Sequence, residues 1–239
     1  MEGATKLIGP QRAWHEGAQA MSGSPVKNSE KAALEMEAVP ATIKNPERLM
    51  RRRAELIEVA TRLFLENGFH NTSIREIVRA CSFNLASLYM YVSSKEDILF
   101  LVAQDLMSNI AEELANTKLS SSSPRKSLEL GFSSYCYIVD KWRRQIRLLY
   151  REVGRLPPEM RSRVLGTVAD VVSFFETIVE DGIKQQVFRK VPARVTALQI
   201  MFNAHAIALH TREIKEVVAL DDYVKYQMRV MLSGLLVNT

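Results

Sequence analysis

The stretch SIREIVRACSFNLASLYMYVSSKEDI, residues 73–98, predicts two short helices joined by a three-residue turn. Ser73 and Glu76 form an S-x-x-E capping box, which begins the first helix. The chain then turns at SFN, and Asn84, a favoured N-cap residue, begins the second helix, which is predicted to run to about Val92. The order helix, short turn, helix is that of a helix-turn-helix unit.

Longer helices are predicted on both sides of this unit. From Pro46 onward, apolar residues fall at i, i+1, i+4, i+7 and i+8, which is one face of a helix that ends at Gly68. These residues are Leu56, Ile57, Ala60, Leu63 and Phe64. After the unit, Ser93 or Ser94 caps a fourth helix with acidic residues in its first turn. A helix-turn-helix unit preceded by a longer helix is typical of DNA-binding domains.

The second helix of the unit carries almost no charge, which suits a helix that lies against DNA bases. On a helical wheel at 100° per residue, Leu88 and Val92 face the core, flanked by Leu85 and Tyr89. The opposite, exposed face is expected to carry Ala86, Ser87, Met90 and Tyr91. Small residues allow close approach to the major groove, and hydroxyl or methyl groups can contact base edges.

Phosphate contacts are expected from the surroundings of this helix. Tyr91 offers a neutral donor, and Lys95 places a charge beside the N–H groups that begin the next helix. Arg75 can reach the backbone or a guanine. Nine Lys and Arg and five Asp and Glu lie between Lys44 and Lys95, which gives this segment +4 of the net charge of +5. The arginines at the start of the first helix are Arg48, Arg51, Arg52 and Arg53. Packing is the alternative role for the tyrosines.

The whole chain is predicted to be all-α, with two domains. Residues 1–45 lack a sustained apolar period and are interpreted as a disordered extension. Residues 46–111 form the helix-turn-helix domain, and residues 112–239 form a second helical domain. Its helices are expected at about residues 124–139, 143–155, 192–212 and 221–236, with a long helix from LPPEM to about residue 186.

Composition excludes several classes of protein. The two cysteines, Cys81 and Cys136, are far apart and have no C-x-x-C partner, which argues against a disulfide scaffold or a zinc ribbon. His205 and His210 have poor spacing for two ligands on one helix face, so we predict no metal site and assign them structural or interfacial roles. No apolar run reaches the ~20 residues of a membrane span, and no secretory signal is evident. We expect a soluble, cytoplasmic protein without cofactor or membrane association.

The segment from about Arg51 to Leu106 resembles the N-terminal domain of the TetR family of transcriptional regulators. The resemblance rests on AxxLFxENGFxxTSIREI followed by LYxYVSSKEDIL. It implies that DNA is contacted by Arg75, Ser87, Tyr89, Tyr91 and Lys95, and that Leu85, Ala86 and Met90 line the base-facing side. In two departures, Ser82 replaces the usual glycine of the turn, and Leu85 replaces a frequent Lys or Arg. Leu85 loses a phosphate contact and offers contact with a thymine methyl instead.

The same resemblance implies roles for the C-terminal helices. The middle helices would enclose a small-molecule pocket, and the last two, containing TALQIMFNAHAIALH and YVKYQMRVMLSGLLV, would form a four-helix dimer interface. Dimerisation also follows from DNA binding, because one recognition helix contacts too few bases. The residues assigned to the pocket are Phe132, Tyr135, Trp142, Arg147, Tyr150, Arg151, Phe174 and Phe175, for which core packing is the alternative role.

Four arginines, Arg144, Arg147, Arg151 and Arg155, share one face of a predicted helix at i, i+3, i+7 and i+11. A solvated surface partly balanced by Glu152 is one explanation, and an anionic ligand is the other. The segment LLYREVGRLPPEMRSRVL resembles TetR-family regulators that respond to acyl-CoA thioesters. An acyl chain would suit an apolar pocket, and a phosphorylated carrier would suit the arginine face.

These features predict a homodimeric repressor, not an enzyme, released from a palindromic double-stranded DNA operator by a small-molecule effector, here an acyl-CoA. The effector would favour a different separation of the two helix-turn-helix units, with the fourth helix as the lever. One alternative is a helical adaptor that binds proteins through its apolar C-terminal helices and has no specific DNA binding. Another is a helical enzyme that uses the arginine face, for which no acid–base or nucleophile pair is found.

Overall fold

The computed structural model describes residues 46–119 and 123–237, so the extension predicted at residues 1–45 lies outside the described residues. The described residues form helices and one isolated antiparallel bridge, Phe188 to Leu236, which confirms the all-α prediction. None of these helices is long and apolar enough to cross a membrane. The helices are α1 Pro46–Asn67, α2 Ile74–Ala80, α3 Leu85–Leu88, α4 Lys95–Ala115, α5 Pro124–Lys141, α6 Arg143–Glu152, α7 Pro158–Lys184, α8 Ala193–Leu209, α9 Thr211–Val217 and α10 Leu220–Leu235.

Two predicted helices differ from the observed ones. The helix expected at 143–155 ends at Glu152 and continues as the 3-10 turn Val153–Arg155. The helix expected at 192–212 is interrupted at His210, whose backbone leaves the helical region at φ −119° and ψ 39°. The chain then starts α9, so one predicted helix is two.

The core consists of two clusters of buried side chains that meet along α4. The first joins α1 to α3 with the first half of α4, up to Ala103, and also takes in Leu148 of α6, Leu156 of the connection after it and Val164 of α7. The second begins at Leu106 and runs through the helices that follow. The predicted domain boundary at residue 111 therefore falls inside α4, a helix that belongs to both cores.

A tight turn joins α7 to the end of the chain. Gln186 has φ +57°, and the backbone N–H groups of the next two residues donate to the carbonyl of Gly182 at 2.9 and 3.0 Å. This turn places the buried ring of Phe188 against the bare Cα of Gly182. The backbone N–H of Arg189 donates to the carbonyl of Leu235 at 2.7 Å, which ties α10 to this turn.

The second core encloses one histidine. His205 of α8 is buried, and its two ring nitrogens lie 2.6 Å from the hydroxyl oxygens of Tyr135 of α5 and Tyr150 of α6. Burial lowers the pKa of His205 from 6.5 to about 4, so the imidazole is neutral near pH 7. His205 thus connects three helices, which confirms the structural role predicted for it.

We expect Gly182→Ala to destabilise the fold by about 1–3 kcal/mol, because the added methyl would overlap the buried ring of Phe188. Gly166→Ala on the same helix is the control, since a Cβ there meets nothing within 4 Å. Relief of glycine's backbone entropy should stabilise this control by about 0.5–1 kcal/mol. Urea unfolding at one protein concentration measures both, and an unaffected Gly182→Ala would contradict the described packing.

Folding stability should depend on pH through His205. Because its folded pKa of about 4 lies below the unfolded value of 6.5, the unfolded chain binds more protons between these limits. This contribution to stability is therefore complete above pH 6.5 and decreases as the pH falls towards 4, by at most about 3–4 kcal/mol. His205→Gln should lose less stability than wild type between pH 7 and pH 4.5 in urea titrations. Equal losses would show that His205 does not carry this dependence.

Candidate functional site

The turn between α2 and α3 is held against α1 by a polar cluster. The backbone N–H of Ser82 donates to one carboxylate oxygen of Glu55, and the Ser82 hydroxyl donates to the other at 3.0 Å. Arg52 forms an ion pair with this carboxylate at 3.0 Å and lies 5.3 Å from the ring centre of Phe83. Burial raises the pKa of the Glu55 carboxyl, but the hydrogen bonds from Ser82 and Arg52 outweigh this effect and hold the pKa below its ordinary value.

Ser82 does not need the conformational freedom of glycine. Among the described residues, positive φ at a non-glycine residue occurs at Gln186 and not at Ser82. The backbone conformation of Ser82 is therefore one that any L-residue can adopt. Its hydroxyl adds the bond to Glu55, which glycine could not make. The departure from the family pattern therefore adds a contact without strain.

The predicted helix caps are confirmed. In the capping box of α2, the backbone N–H of Ser73 donates to Glu76 at 2.7 Å, and the backbone N–H of Glu76 donates to the Ser73 hydroxyl at 3.2 Å. The Asn84 side chain caps α3, accepting a backbone hydrogen bond at 2.9 Å. Ser94, rather than its neighbour, caps α4 in a second capping box with Asp97. These local bonds fix where each helix of the unit begins.

The helix α3 is shorter than predicted, which changes the placement of both tyrosines. It ends at Leu88, and the backbone N–H of Tyr91 donates to the carbonyl of Leu88 at 2.8 Å. In a turn closed by such an i to i+3 hydrogen bond, side chains three residues apart lie on the same side, so Tyr91 points into the core as Leu88 does. Tyr91 is 1% exposed, with its ring 5.7 Å from that of Phe83, whereas Tyr89 is 53% exposed. The predicted exposure of Tyr91 is wrong, because the wheel extended a 3.6-residue period beyond the end of the helix.

Lys95 also points inward. Its ammonium donates to the backbone carbonyls of Phe69, Thr72 and His70 at 2.8, 3.1 and 3.4 Å, and it lies 4.3 Å from the ring centre of Phe69. An ammonium has three N–H groups, so these carbonyls occupy all of them. In this conformation Lys95 fixes the connection between α1 and α2 against α4, and the expected phosphate contact is not available to it.

The basic cluster at the start of α1 is divided between the surface and the interior. Arg48 and Arg51 are exposed. Arg53 is buried and donates to the backbone carbonyl of Tyr91 at 3.3 Å, while Arg52 is engaged with Glu55. Sequence reasoning missed the internal roles of Arg53 and Glu55, although both lie within one turn of the apolar stripe of α1.

The surface around α3 carries no charged side chain, whereas α2 exposes Arg75, Glu76 and Arg79. Ala86, Tyr89 and Met90 are exposed at α3 and just after it, and Arg75 is exposed near the start of α2. Leu85 and Ser87 are half-buried beside them. This geometry presents apolar and hydroxyl groups for base edges, with Arg75 and the hydroxyl of Tyr89 available to phosphates.

The predicted pocket residues do not form a single set. Five rings form a series of neighbouring contacts, with centroid distances of 5.1–5.7 Å between successive rings. In order, they belong to Tyr150, His205, Tyr135, Phe175 and Phe174. Phe132 is buried like Tyr135 and Phe175 but is not part of this series of ring contacts, and the indole N–H of Trp142 donates to Glu113 at 2.9 Å. Sequence reasoning missed the central place of His205, because its partners are 55 and 70 residues away.

The four arginines predicted on one face have separate environments. Arg151 and Arg155 each donate to the buried carboxylate of Glu152 at 2.6 Å. Burial raises the pKa of the Glu152 carboxyl, but these bonds outweigh this effect and hold the pKa below its ordinary value. Arg144 lines a groove of about 480 Å³ against α1 and α4, and Arg147 is exposed. The balance by Glu152 is confirmed.

The outer surfaces of α8 and α10 carry exposed apolar side chains. Those on α8 include Val195 and Phe202, and those on α10 include Tyr226 and Val230. Monomeric proteins rarely leave large contiguous apolar patches in water, so such surfaces favour contact with another chain.

Two families of known proteins match the sequence. Residues 56–102 match the family described as bacterial regulatory proteins, tetR family, and residues 121–209 match the tetracyclin repressor-like C-terminal domain. The first match contains the capped α2–turn–α3 unit described above.

Individual proteins agree with these families. The HTH-type transcriptional regulator HbdR of Aromatoleum sp. (strain CIB) is 26% identical over 84% of this chain and 87% of its own length. A tetR-family regulatory protein from Rhodococcus RHA1 has the same fold, with a TM-score of 0.69 at 15% identity over 79% of this chain and 98% of its own. The structure of AibR, solved with isovaleryl coenzyme A and operator DNA, has a TM-score of 0.63 at 20% identity over 77% and 99%. The chain therefore belongs to the TetR family of DNA-binding transcriptional regulators.

Proposed function

We propose that this protein is a homodimeric repressor that binds a palindromic operator and leaves it when an acyl-CoA thioester binds. The observation that carries the proposal is the capped α2–turn–α3 unit, which leaves the uncharged α3 and the exposed Arg75 at the surface while α1 and α4 fix its inner side. A dimer that covers two adjacent grooves of a promoter excludes other proteins, which favours repression. Because it acts on the chromosome of a bacterial cell, its proposed compartment is the cytoplasm.

The proposed DNA contacts follow from exposure. Ala86, Ser87 and Met90, with Leu85 beside them, would contact base edges in the major groove. Arg75 and Tyr89 would contact phosphates. Tyr91 and Lys95 are assigned to positioning, because one is buried and the other is bound to backbone carbonyls.

Dimerisation through α8 and α10 supports operator binding. The exposed apolar side chains on these helices would be covered by the same helices of a second copy. Two helix-turn-helix units then reach successive major grooves, about 34 Å apart on one side of the duplex.

Effector response is proposed through the two cores. The exposed Arg147 and Arg151 of α6 are candidates for the phosphates of coenzyme A, the ligand class named for the related AibR. The buried side chains of α4 belong to both cores, so an effector that alters the second core would move α4 and change the separation of the DNA-binding units. The effector acts only through its difference in affinity for the two states.

The test is a titration of purified protein against its own upstream DNA at two salt concentrations, with and without isovaleryl-, octanoyl- and palmitoyl-CoA. Specific binding that weakens with salt and is lost with one thioester supports the proposal. Binding no tighter than to random DNA would favour the adaptor alternative, in which the apolar surfaces of α8 and α10 bind another protein. Specific binding unaffected by every thioester would retain the regulator and remove the proposed effector.

Tyr89→Phe should weaken operator binding about three- to tenfold, because one phosphate hydrogen bond contributes about 0.5–1.5 kcal/mol. The loss should be nearly equal across operator sequences, since a phosphate contact carries no base information. Tyr91→Phe is the matched control, with its hydroxyl in the core, and should bind DNA like wild type. Fluorescence anisotropy measures both variants, and the reverse result would mean that Tyr91 turns outward on DNA.

Ser87→Ala should change the preference for particular bases by up to about 1–3 kcal/mol at a single position. Ser173→Ala, an exposed serine on α7, is the control and should leave the preferences unchanged. Selection from a randomised operator library measures the base preference of each variant. Uniform weakening at all positions would instead assign Ser87 to the phosphate backbone.

A further inference from the structure

The side chains of His205, Tyr135 and Tyr150 together carry one more polar hydrogen than the two hydrogen bonds between them use. A neutral imidazole has one N–H, and each tyrosine has one O–H. His205 is neutral because burial lowers its pKa to about 4. Two of the three hydrogens form the bonds from His205 to Tyr135 and Tyr150, so one tyrosine hydroxyl keeps a hydrogen that points elsewhere.

Burial decides which hydroxyl this is. Tyr135 is 1% exposed, and within the described residues its hydroxyl has His205 as its one hydrogen-bond partner. If Tyr135 accepted from the imidazole, its own O–H would be buried without an acceptor, an arrangement that proteins avoid. The favoured arrangement has Tyr135 donating to Nε2 of His205 and Nδ1–H donating to the Tyr150 oxygen. The O–H of Tyr150, which is 44% exposed, then points away from the cluster.

The surroundings of Tyr150 indicate what this hydroxyl binds. Arg147, which precedes it by three residues on α6, is exposed, and Arg151, which follows it, is exposed with its Nε bonded to Glu152. The surface therefore combines a neutral donor of fixed direction with guanidinium groups, which suits a ligand that carries both a carbonyl and phosphates. Hydrogen bonds in a chain also polarise one another, which strengthens the terminal donor.

We infer that the Tyr150 hydroxyl donates a hydrogen bond to the thioester carbonyl oxygen of the effector, and that Tyr135 and His205 are positioning residues that fix its direction. This inference rests on the proposed acyl-CoA response. It also places the ligand on a regulatory element, because Leu148, two residues before Tyr150, packs in the core of the DNA-binding helices.

The first experiment compares each acyl-CoA with its thioether analogue, which keeps the chain and the coenzyme but lacks the carbonyl oxygen. The probes are isovaleryl-, octanoyl- and palmitoyl-CoA, measured by calorimetry on the full chain. Wild type should bind the preferred thioester about ten- to a hundredfold more tightly than its thioether. Tyr150→Phe should remove this preference by weakening the thioester alone. Tyr137→Phe, which loses an exposed hydroxyl on α5, is the control and should keep it.

The second experiment tests the positioning role with a variant expected to lie outside the ligand contacts. In Tyr135→Phe, Nε2 of His205 loses its donor, and the imidazole can adopt the other tautomer, in which Nδ1 accepts the Tyr150 O–H. The thioester preference should then decrease, and the imidazole nitrogen chemical shifts should report the exchanged tautomer. An unchanged tautomer together with an unchanged preference would overturn the assigned direction.

The outcomes separate the inference from the function on which it rests. If wild type binds thioesters but does not prefer them, or if Tyr150→Phe keeps the preference, the inference is wrong and the acyl-CoA response stands. If no acyl-CoA binds wild type, the effector class and the inference fail together, while operator binding is judged by its own titration.

Discussion

The structure depends on the burial of α4 in two cores at once. The residues Ile98–Ala103 are buried in succession, so this part of the helix is enclosed on all sides, by the DNA-binding helices together with Leu148, Leu156 and Val164. Four further buried residues, from Leu106 to Leu114, pack in the second core. Because close-packed interiors leave little room for rearrangement, the packing of the two cores is linked through this helix. α6 and α7 also contribute to both cores, with Leu148 and Val164 in the first and Ile146 and Val171 in the second.

The DNA-binding unit uses several of its charges for its own rigidity. Arg52 and Glu55 hold the turn, Arg53 supports the backbone at Tyr91, and Lys95 fixes the connection between α1 and α2. Buried or partly buried charges need partners, and these have them in backbone carbonyls and carboxylates. The surface left for DNA is correspondingly uncharged around α3, where close approach matters most.

The sequence predicted features that depend on neighbouring residues and missed those that depend on distant ones. The caps at Ser73, Asn84 and Ser94 were predictable, because each bonds within one turn. Tyr91 was misplaced because the period of an α-helix does not apply once the chain tightens to bonds over three residues. The structural role of His205 was predicted but its partners were not, since a bond between residues 70 apart is created by tertiary packing alone.

The inward direction of Lys95 has a consequence for how the protein holds DNA of arbitrary sequence. Affinity for arbitrary DNA grows with the number of phosphates that a protein neutralises, at about −0.9 in the logarithmic salt slope for each. A lysine bound to three carbonyls and an arginine buried under α3 contribute little to that number. Affinity for DNA of arbitrary sequence would then rest on the exposed arginines, which are Arg48, Arg51, Arg75 and Arg79, while Lys95 and Arg53 add to the rigidity of the unit.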